Sequence, residues 1–444
     1  MGLKPAPGRK PPPDTQGLGA RKAALAALSA IFFNGRPLAE ALEGSVGKAN
    51  LEPRDAAFAR TIVMMVLRRL GQLDHIVANF LREPLPVRSG PAELILRIAA
   101  AELLFLDVAP HAAVSSAVTL ADRDHRAKHF KGLINAVARK IAAEGKTLLA
   151  STDADRLNTP VWAWDAWAAT YGEETARAIG HAHITEPPLD ITVKGDPALW
   201  ADRLEATRLP TGSLRRTAGG RIEDLPGYND GAWWIQDAAA AIPATLLGSL
   251  KGKTVIDLCA APGGKTAQLA SLGADVIAVD LAFERMKRVR TNLERLNLKA
   301  DIQVGDALTW RPKEQADAVL LDAPCTASGT VRRHPDVLWR KDFSDVMAQA
   351  DLQRRLLDAA AQMVKPGGTL LYCVCSLARE EAEDVAQAFL NANPAFTRHP
   401  LSLRELHGES QFRTEVGDLR TLPSHWAESG GLDGFYACRL RRTA

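Results

Sequence analysis

Cysteine is scarce in this 444-residue chain: five residues, an odd number, with no short-spaced framework. That excludes a disulfide scaffold and points to a reducing cytoplasm. Zinc-finger spacing is missing too, because C-x-C at 373–375 has no C-x-x-C partner, so no metal is expected. No apolar stretch approaches a membrane span. The run AALAALSAIFF after Lys22 has helical spacing and ends in NGRP without a small-residue cleavage site, which argues against a signal peptide. Charge of one sign is also lacking. A net charge of +3 and a pI near 8.6 permit a polyanionic partner without demanding one, so a nucleic-acid interface has to be sought in local patches. No internal repeat is visible.

What is present is core. With 46% apolar and 24% charged residues, the composition is that of a globular protein, and the length calls for two or three domains. Residues 1–19, rich in proline and glycine, read as a disordered tail. Residues 20–147 carry apolar positions at three- and four-residue intervals throughout, the pattern of an all-α bundle. Residues 148–230 mix a Trp-bearing helix, VWAWDAWAATYG, with the strand-like PPLDITVKG and read as a small α+β linking domain. From 231 to 444 strands and helices alternate: TVIDLC, DVIAVD, DIQVGDA, ADAVLLDAP and TLLYCVCS, closed by GFYACRL. This predicts a doubly wound, Rossmann-like α/β domain.

The segment VIDLCAAPGGKTAQLA places a Gly-rich turn between a strand and a helix. Ala260, Ala261, Gly263 and Gly264 are small enough for a ligand to approach the backbone above the strand's carboxyl end. A phosphate loop would read G-x-x-x-x-G-K-[ST]. Gly264, Lys265 and Thr266 satisfy its end, but Cys259 stands where the first glycine must make the turn. The alternative ligand is S-adenosylmethionine. It requires an acid after the second strand to hold ribose hydroxyls, and Asp280 is there; a polar residue is expected after the third strand, and Asp306 is there. Each acid alone is also an ordinary helix cap.

Two further stretches carry thiols. Taken alone, TLLYCVCS favours packing, since buried free cysteine is common. The fourth strand, however, ends in Asp322-Ala323-Pro324-Cys325. Methyltransferases acting on exocyclic amines usually place an aromatic where Cys325 stands, so the thiol points away from N-methylation. Carbon methylation explains it. C5 of cytosine is a poor nucleophile until a thiolate adds to C6; the C5 proton must then leave and the sulfur be expelled. That takes one nucleophilic cysteine and one assisting acid/base group, with cations nearby to favour thiolate. Neighbouring strand ends bring Cys325 and the 373/375 pair together. Cys375, nearer the open end, is the expected reacting thiol, and Cys373 is expected to pack. Asp322 is positioned to bond the N3/N4 edge of the ring.

These motifs together resemble the bacterial ribosomal RNA cytosine-C5 methyltransferases of the RsmB (Sun/Fmu) type, in the NOL1/NOP2/Sun family. DLCAAPGGKT, DAPC…GTVRRHPD and YCVCS carry the resemblance, flanked by WIQDAAA and DGFYACRL. HAAVSSAV and KGLINAVAR resemble a NusB-like RNA-binding domain. The resemblance implies Cys375 as nucleophile, Cys325 as the cysteine assisting release, and Asp322 beside them. It assigns Cys259, Ala260, Ala261, Pro262, Gly263, Gly264 and Lys265, with Asp280, Arg285, Asp306 and Asp322, to an S-adenosyl-L-methionine pocket. The chain departs from the family pattern at Val374, where threonine is usual, at Cys373, in the longer turn CTASGT, and at TVKG around Lys194, where Arg-x-Asn is expected.

The implied activity is methylation of a cytosine in small-subunit (16S) rRNA, free or in an early ribosomal particle, by a monomeric enzyme without metal or membrane. Two other substrates or roles compete: another RNA such as tRNA, or an RNA-binding assembly or antitermination factor with an idle methyltransferase fold. HRAKHFKG and VRRHP (Arg332, Arg333, His334) mix cations with rings as a phosphate-tracking surface does. Trp162, Trp164, Trp167 and Tyr171 read as core, and His75 and His111 as structural.

Overall fold

The structure, a computed structural model, describes residues 17–217 and 219–443. The first sixteen residues of the expected tail lie outside the described residues; the first helix opens at Leu18. The described chain divides into two compact units, one of residues up to 160 with 334–340, the other of 161–333 with 341–444.

The first unit is helical: Leu18–Asn34, Leu38–Leu42, Pro53–Arg68, Leu70–Phe80, Ala92–Leu104, Pro110–Asp122, Lys131–Ala150 and Ala154–Leu157, with Val337–Arg340 from the later segment. Its centre is Ala92–Leu104, apolar on almost every face and buried along nearly its whole length, as a helix without a polar stripe must be. Around it pack Leu28, Ile31, Ile62, Val66, Leu73, Ile134 and Ile141. The charged side chain it does carry inward, Glu102, meets Arg21 at 2.7 Å. Trp339 donates its indole N–H to the Leu67 carbonyl at 2.9 Å, and Asp336 accepts from the Leu38 amide at 3.0 Å, so residues 334–340 are bonded into this unit. His75 and His111, expected to be structural, are exposed; each occupies the solvent face of its helix. The cations of HRAKHFKG are exposed as well.

The second unit opens with helices Val161–Tyr171 and Glu173–His183. Trp164 and Trp167 are buried there, and the Tyr171 hydroxyl donates to the Leu377 carbonyl at 2.8 Å. Strands β1 (Leu189–Val193), β2 (Thr207–Arg208), β3 (Leu214–Arg216) and β4 (Trp233–Ile235) form an antiparallel sheet in the order β2-β3-β1-β4. The larger sheet contains β5 (Thr254–Leu258), β6 (Asp275–Asp280), β7 (Asp301–Val304), β8 (Ala316–Asp322), β9 (Val364–Val374), β10 (Phe396–Arg398), β11 (Leu419–Thr421) and β12 (Phe435–Arg442). Its order is β10-β12-β9-β8-β5-β6-β7, with β11 paired to β12. Strands β5 to β9 run parallel, whereas β10, β11 and β12 form an antiparallel edge.

Side chains alternate between two cores. Ile256, Val319, Leu321, Leu370, Tyr372 and Val374 enter one; Val255, Ala318, Leu320, Leu371 and Cys373 enter the other, and Cys375 packs against that second face. Burial on both faces explains the unbroken apolar strands. The chain starts at β5, moves outward to β6 and β7, then returns to β8 on the opposite side of β5. The crevice above the carboxyl ends of β5 and β8 is therefore the topological switch point, where open α/β sheets bind ligands. Among the described residues no helix is long and apolar enough to cross a membrane.

One helix approach in the first unit depends on a missing side chain. A Cβ on Gly71 would lie 1.7 Å from the Leu157 carbonyl oxygen, beside the Asn158 side chain that accepts from the Gln72 amide at 3.1 Å. Gly71→Ala should cost about 3 kcal/mol by overpacking, read as a lowered denaturation midpoint; an unchanged midpoint would refute this packing.

Candidate active site

Three strand ends bring carboxylates to the switch-point crevice. Asp280 closes β6 and is almost fully buried. Its Oδ2 accepts from the Ala261 amide at 3.1 Å and its Oδ1 from Ala282 at 2.9 Å, so it ties the Gly-rich loop to the next strand. Arg285 stands 3.8 Å from Asp280 and donates to the Ala261 carbonyl. Asp306, after β7, is half-buried and accepts from the Leu308 amide at 2.9 Å. Asp322 closes β8, where its Oδ2 accepts from Lys265 Nζ at 2.7 Å. The capping reading and the ligand reading of Asp280 and Asp306 are thus compatible: each caps a turn at the rim of the crevice.

The loop itself reverses direction through two left-handed residues, Cys259 (φ 59°) and Gly263 (φ 99°). A Cβ on Gly263 would approach Val289 to 3.0 Å, so glycine suits both the dihedral angle and the space. Lys265 leaves the first turn of helix Gly264–Ser271, lies over the Phe435 ring at 4.8 Å and is nearly buried. Burial acts to lower its pKa; Asp322, Cys373 and Cys375 outweigh it and hold the ammonium above its ordinary range. Beneath the loop, the wholly buried Asp257 accepts from Thr266 Oγ1 at 2.6 Å. Burial pushes its carboxyl up to about 7, with Asp322 adding to the shift and Thr266 opposing it.

Parallel pairing sets Asp322 opposite Cys373, and the chains that leave β8 and β9 carry Cys325 and Cys375 to a sulfur–sulfur distance of 3.5 Å. Both are partly exposed, whereas Cys373 is fully enclosed and its thiol lies 3.6 Å from Asp322 Oδ1. Burial, reinforced by Asp322, holds the Cys373 thiol well above its usual pKa. The Cys325 thiol is also held well above its usual value, first by its hydrogen bond to Cys375 and then by burial. Cations are close: burial opposes the charge on Arg333, Asp433 and Asp237 outweigh it, and Cys375 adds a smaller attraction, as it does for Lys265.

One expected nucleic-acid contact is corrected. Arg332 is 1% exposed and held by Asp237 at 3.1 Å and Asp433 at 3.4 Å. Arg333 pairs with Asp433 as well. Two buried carboxylates account for these arginines better than a solvated turn does. They also explain two flanking motifs: Asp237 of WIQDAAA and Asp433 of DGFYACRL meet there, with the Asp433 amide donating to Asp237 Oδ1 at 3.2 Å. Lys194 is likewise engaged, donating to the Leu296 carbonyl at 2.7 Å.

Residues 244–441 match the family 16S rRNA methyltransferase RsmB/F, and residues 18–143 match the NusB family. Ribosomal RNA small subunit methyltransferase B of Cronobacter sakazakii is 34% identical over 439 residues, spanning 95% of this chain and 98% of the relative. The chain belongs to the RsmB/F family of 16S rRNA methyltransferases. A second relative of the same name, from Vibrio cholerae, is 34% identical over 394 residues, 84% of this chain and 89% of its own length. The solved structure of PH0851 superposes with a TM-score of 0.77 at 26% identity, covering 98% of this chain and 99% of its own. A methyltransferase homologue from Pyrococcus horikoshii reaches 0.52 at 28% identity, covering 63% and 93%. As a member of this family the protein is an S-adenosyl-L-methionine-dependent RNA methyltransferase.

In this RsmB/F-family chain sequence reasoning passed over the groups that hold the two thiol loops. Gly329 donates its amide to the Cys375 carbonyl at 3.0 Å, and its carbonyl accepts from the Gly434 amide at 2.8 Å. A Cβ there would sit 2.0 Å from the Gly434 oxygen. Glu381, in the acidic run after Cys375, is buried against both loops. Glycine in CTASGT and an acid so close to a candidate nucleophile were the available signals.

The raised Asp257 carboxyl gives a pH test. A folded-state pKa of about 7, above the usual 3.8, contributes stability that is full below about pH 4 and is lost as pH rises through 7. Asp257→Asn removes this loss, on the order of 4 kcal/mol at most. Relative to wild type, the variant's melting temperature should therefore improve between pH 5 and pH 8. An equal offset at both pH values would contradict the buried-acid assignment.

Proposed function

We propose that this enzyme methylates C5 of a cytosine in 16S rRNA through a transient bond between Cys375 Sγ and C6 of the base. The observation that carries the reading is the pair of partly exposed cysteines whose sulfurs lie 3.5 Å apart, beside the Lys265–Asp322 pair. The residues suit the methyl donor by their own geometry. Gly263 permits the left-handed turn that carries the loop over the end of β5, and acids stand at the ends of adjacent strands. The loop Cys259–Lys265 with Asp280, Arg285 and Asp306 would hold the donor, Asp280 facing its ribose hydroxyls. When bound, S-adenosyl-L-methionine supplies an electrophilic methyl group on a sulfonium.

The two thiols divide the work electrostatically. Cys325, whose thiol is held well above its usual pKa, keeps its proton, and Cys375 is the sulfur that adds to the base, with the Lys265 and Arg333 cations nearby. Addition of the Cys375 sulfur, as thiolate, to C6 pushes the C5=C6 electron pair toward C5, and Asp322 would accept a hydrogen bond from the N4 amino group of the ring. C5 then takes the methyl group. Once its sulfur is bonded to C6, Cys375 is no longer anionic, and the largest cause of the raised Cys325 pKa disappears. Cys325 releases its proton to solvent and, as thiolate, takes the C5 proton. The freed C–H pair restores C5=C6 while the Sγ–C6 bond breaks, its electrons returning to Cys375. Cys325 is left as the thiol, ready for the next cycle.

A base within a duplex is out of reach of such a site, so the target is flipped out or lies in a loop. The names of the relatives support small-subunit rRNA as substrate, and the NusB-like unit would add the backbone affinity that a one-base pocket lacks. An rRNA substrate supports a cytoplasmic setting for the reaction.

Cys375→Ala should abolish methylation, by at least about 1,000-fold. Cys325→Ala should retain addition and accumulate a protein–RNA adduct stable on a denaturing gel. Methylation of C5 by Cys375→Ala would defeat the reading.

A further inference from the structure

The carboxylate of Glu381 touches neither reacting sulfur, yet it is bonded to the residue that follows each. Glu381 is 0% exposed. Its Oε1 accepts from the Thr326 amide at 2.7 Å, and its Oε2 accepts from the Thr326 and Ser376 hydroxyls. Gln353 Nε2 donates to Oε1 at 3.3 Å and to the Pro324 carbonyl at 2.9 Å. Thr326 follows Cys325, Ser376 follows Cys375, and Pro324 precedes Cys325. A single buried carboxylate thus spans the two loops whose tips carry the thiols. Tyr372 fixes it from below, its hydroxyl donating to the Glu381 carbonyl. Burying a carboxylate is costly unless several donors compensate it. This one has four, and of the five bonds made by the Glu381 carboxylate and the Gln353 amide nitrogen three hold the Cys325 side.

We propose that Glu381 is a positioning residue that sets the Cys325–Cys375 separation, and that it serves the release step more than the addition step. This rests on the two-thiol reading above. Addition needs Cys375 alone, which the β9 backbone already places. Release needs Cys325 held where it reaches the C5 proton, and that loop relies on Thr326.

Glu381→Gln keeps the size and replaces one acceptor oxygen by a donor, so it weakens the bonds to the Thr326 and Ser376 hydroxyls without emptying the site. Methylation of an rRNA fragment should fall roughly 10- to 100-fold in kcat, with KM for RNA and the dissociation constant for S-adenosyl-L-methionine within about twofold of wild type. A covalent protein–RNA adduct should accumulate on denaturing gels, as for Cys325→Ala though less completely. Thr326→Val, which removes one hydroxyl at constant volume, should show the same adduct at a lower level. Wild-type kcat without adduct in both variants would overturn the proposal. So would a loss of activity matched by loss of S-adenosyl-L-methionine binding and of melting temperature, with no adduct. If instead Cys375→Ala remains active, the two-thiol reading fails. A trapped adduct in Cys325→Ala with normal release in Glu381→Gln removes only the role of Glu381.

Discussion

Parallel pairing of β8 with β9 is the constraint on which the site depends. Adjacent parallel strands end at the same edge of a sheet, so whatever leaves them shares one small volume. Register places Asp322 beside Cys373, and three or fewer residues later Cys325 and Cys375 are in contact. No local preference of either segment would bring two thiols, a carboxylate and a lysine together. The sheet does so, and the topological switch next to β5 adds the cofactor loop.

Packing two sulfurs, Asp322 and Lys265 into one half-buried volume sets up competition between charges. Burial opposes a charge on Lys265 and on Cys325. Lys265 remains charged because three potential anions surround it, and Cys325 remains protonated because Cys375 is beside it. In the proposed mechanism the proton on Cys325 would answer to whether Cys375 is bonded to the base, so that a pair of identical side chains would take two different roles.

Much of this was legible beforehand, for specific reasons. Motifs that combine a strand end with a turn residue, such as DLCAAPGGKT and DAPC, state both where the chain is and what it offers. Neighbouring strand ends lead one to expect Cys325 beside the 373/375 pair, and Cys373 is the enclosed one. What escaped notice were long-range polar contacts. Arg332 looked like a solvated cation because its partners, Asp237 and Asp433, are about a hundred residues away in each direction. Glu381 stands in an acidic run where nothing nearby in the chain reveals the Thr326 amide it meets. His75 and His111 carried too little context to distinguish a helix's inner face from its outer one.

The central claim is that one particular sulfur bonds to the base. The most direct test is a substrate RNA carrying 5-fluorocytosine at the target, whose C5–F bond blocks the final proton removal. Peptide mass spectrometry should then find the methylated nucleotide attached to the peptide containing Cys375 and to no other cysteine. Attachment at Cys325 or Cys259, or methyl transfer with no attachment at all, would contradict it.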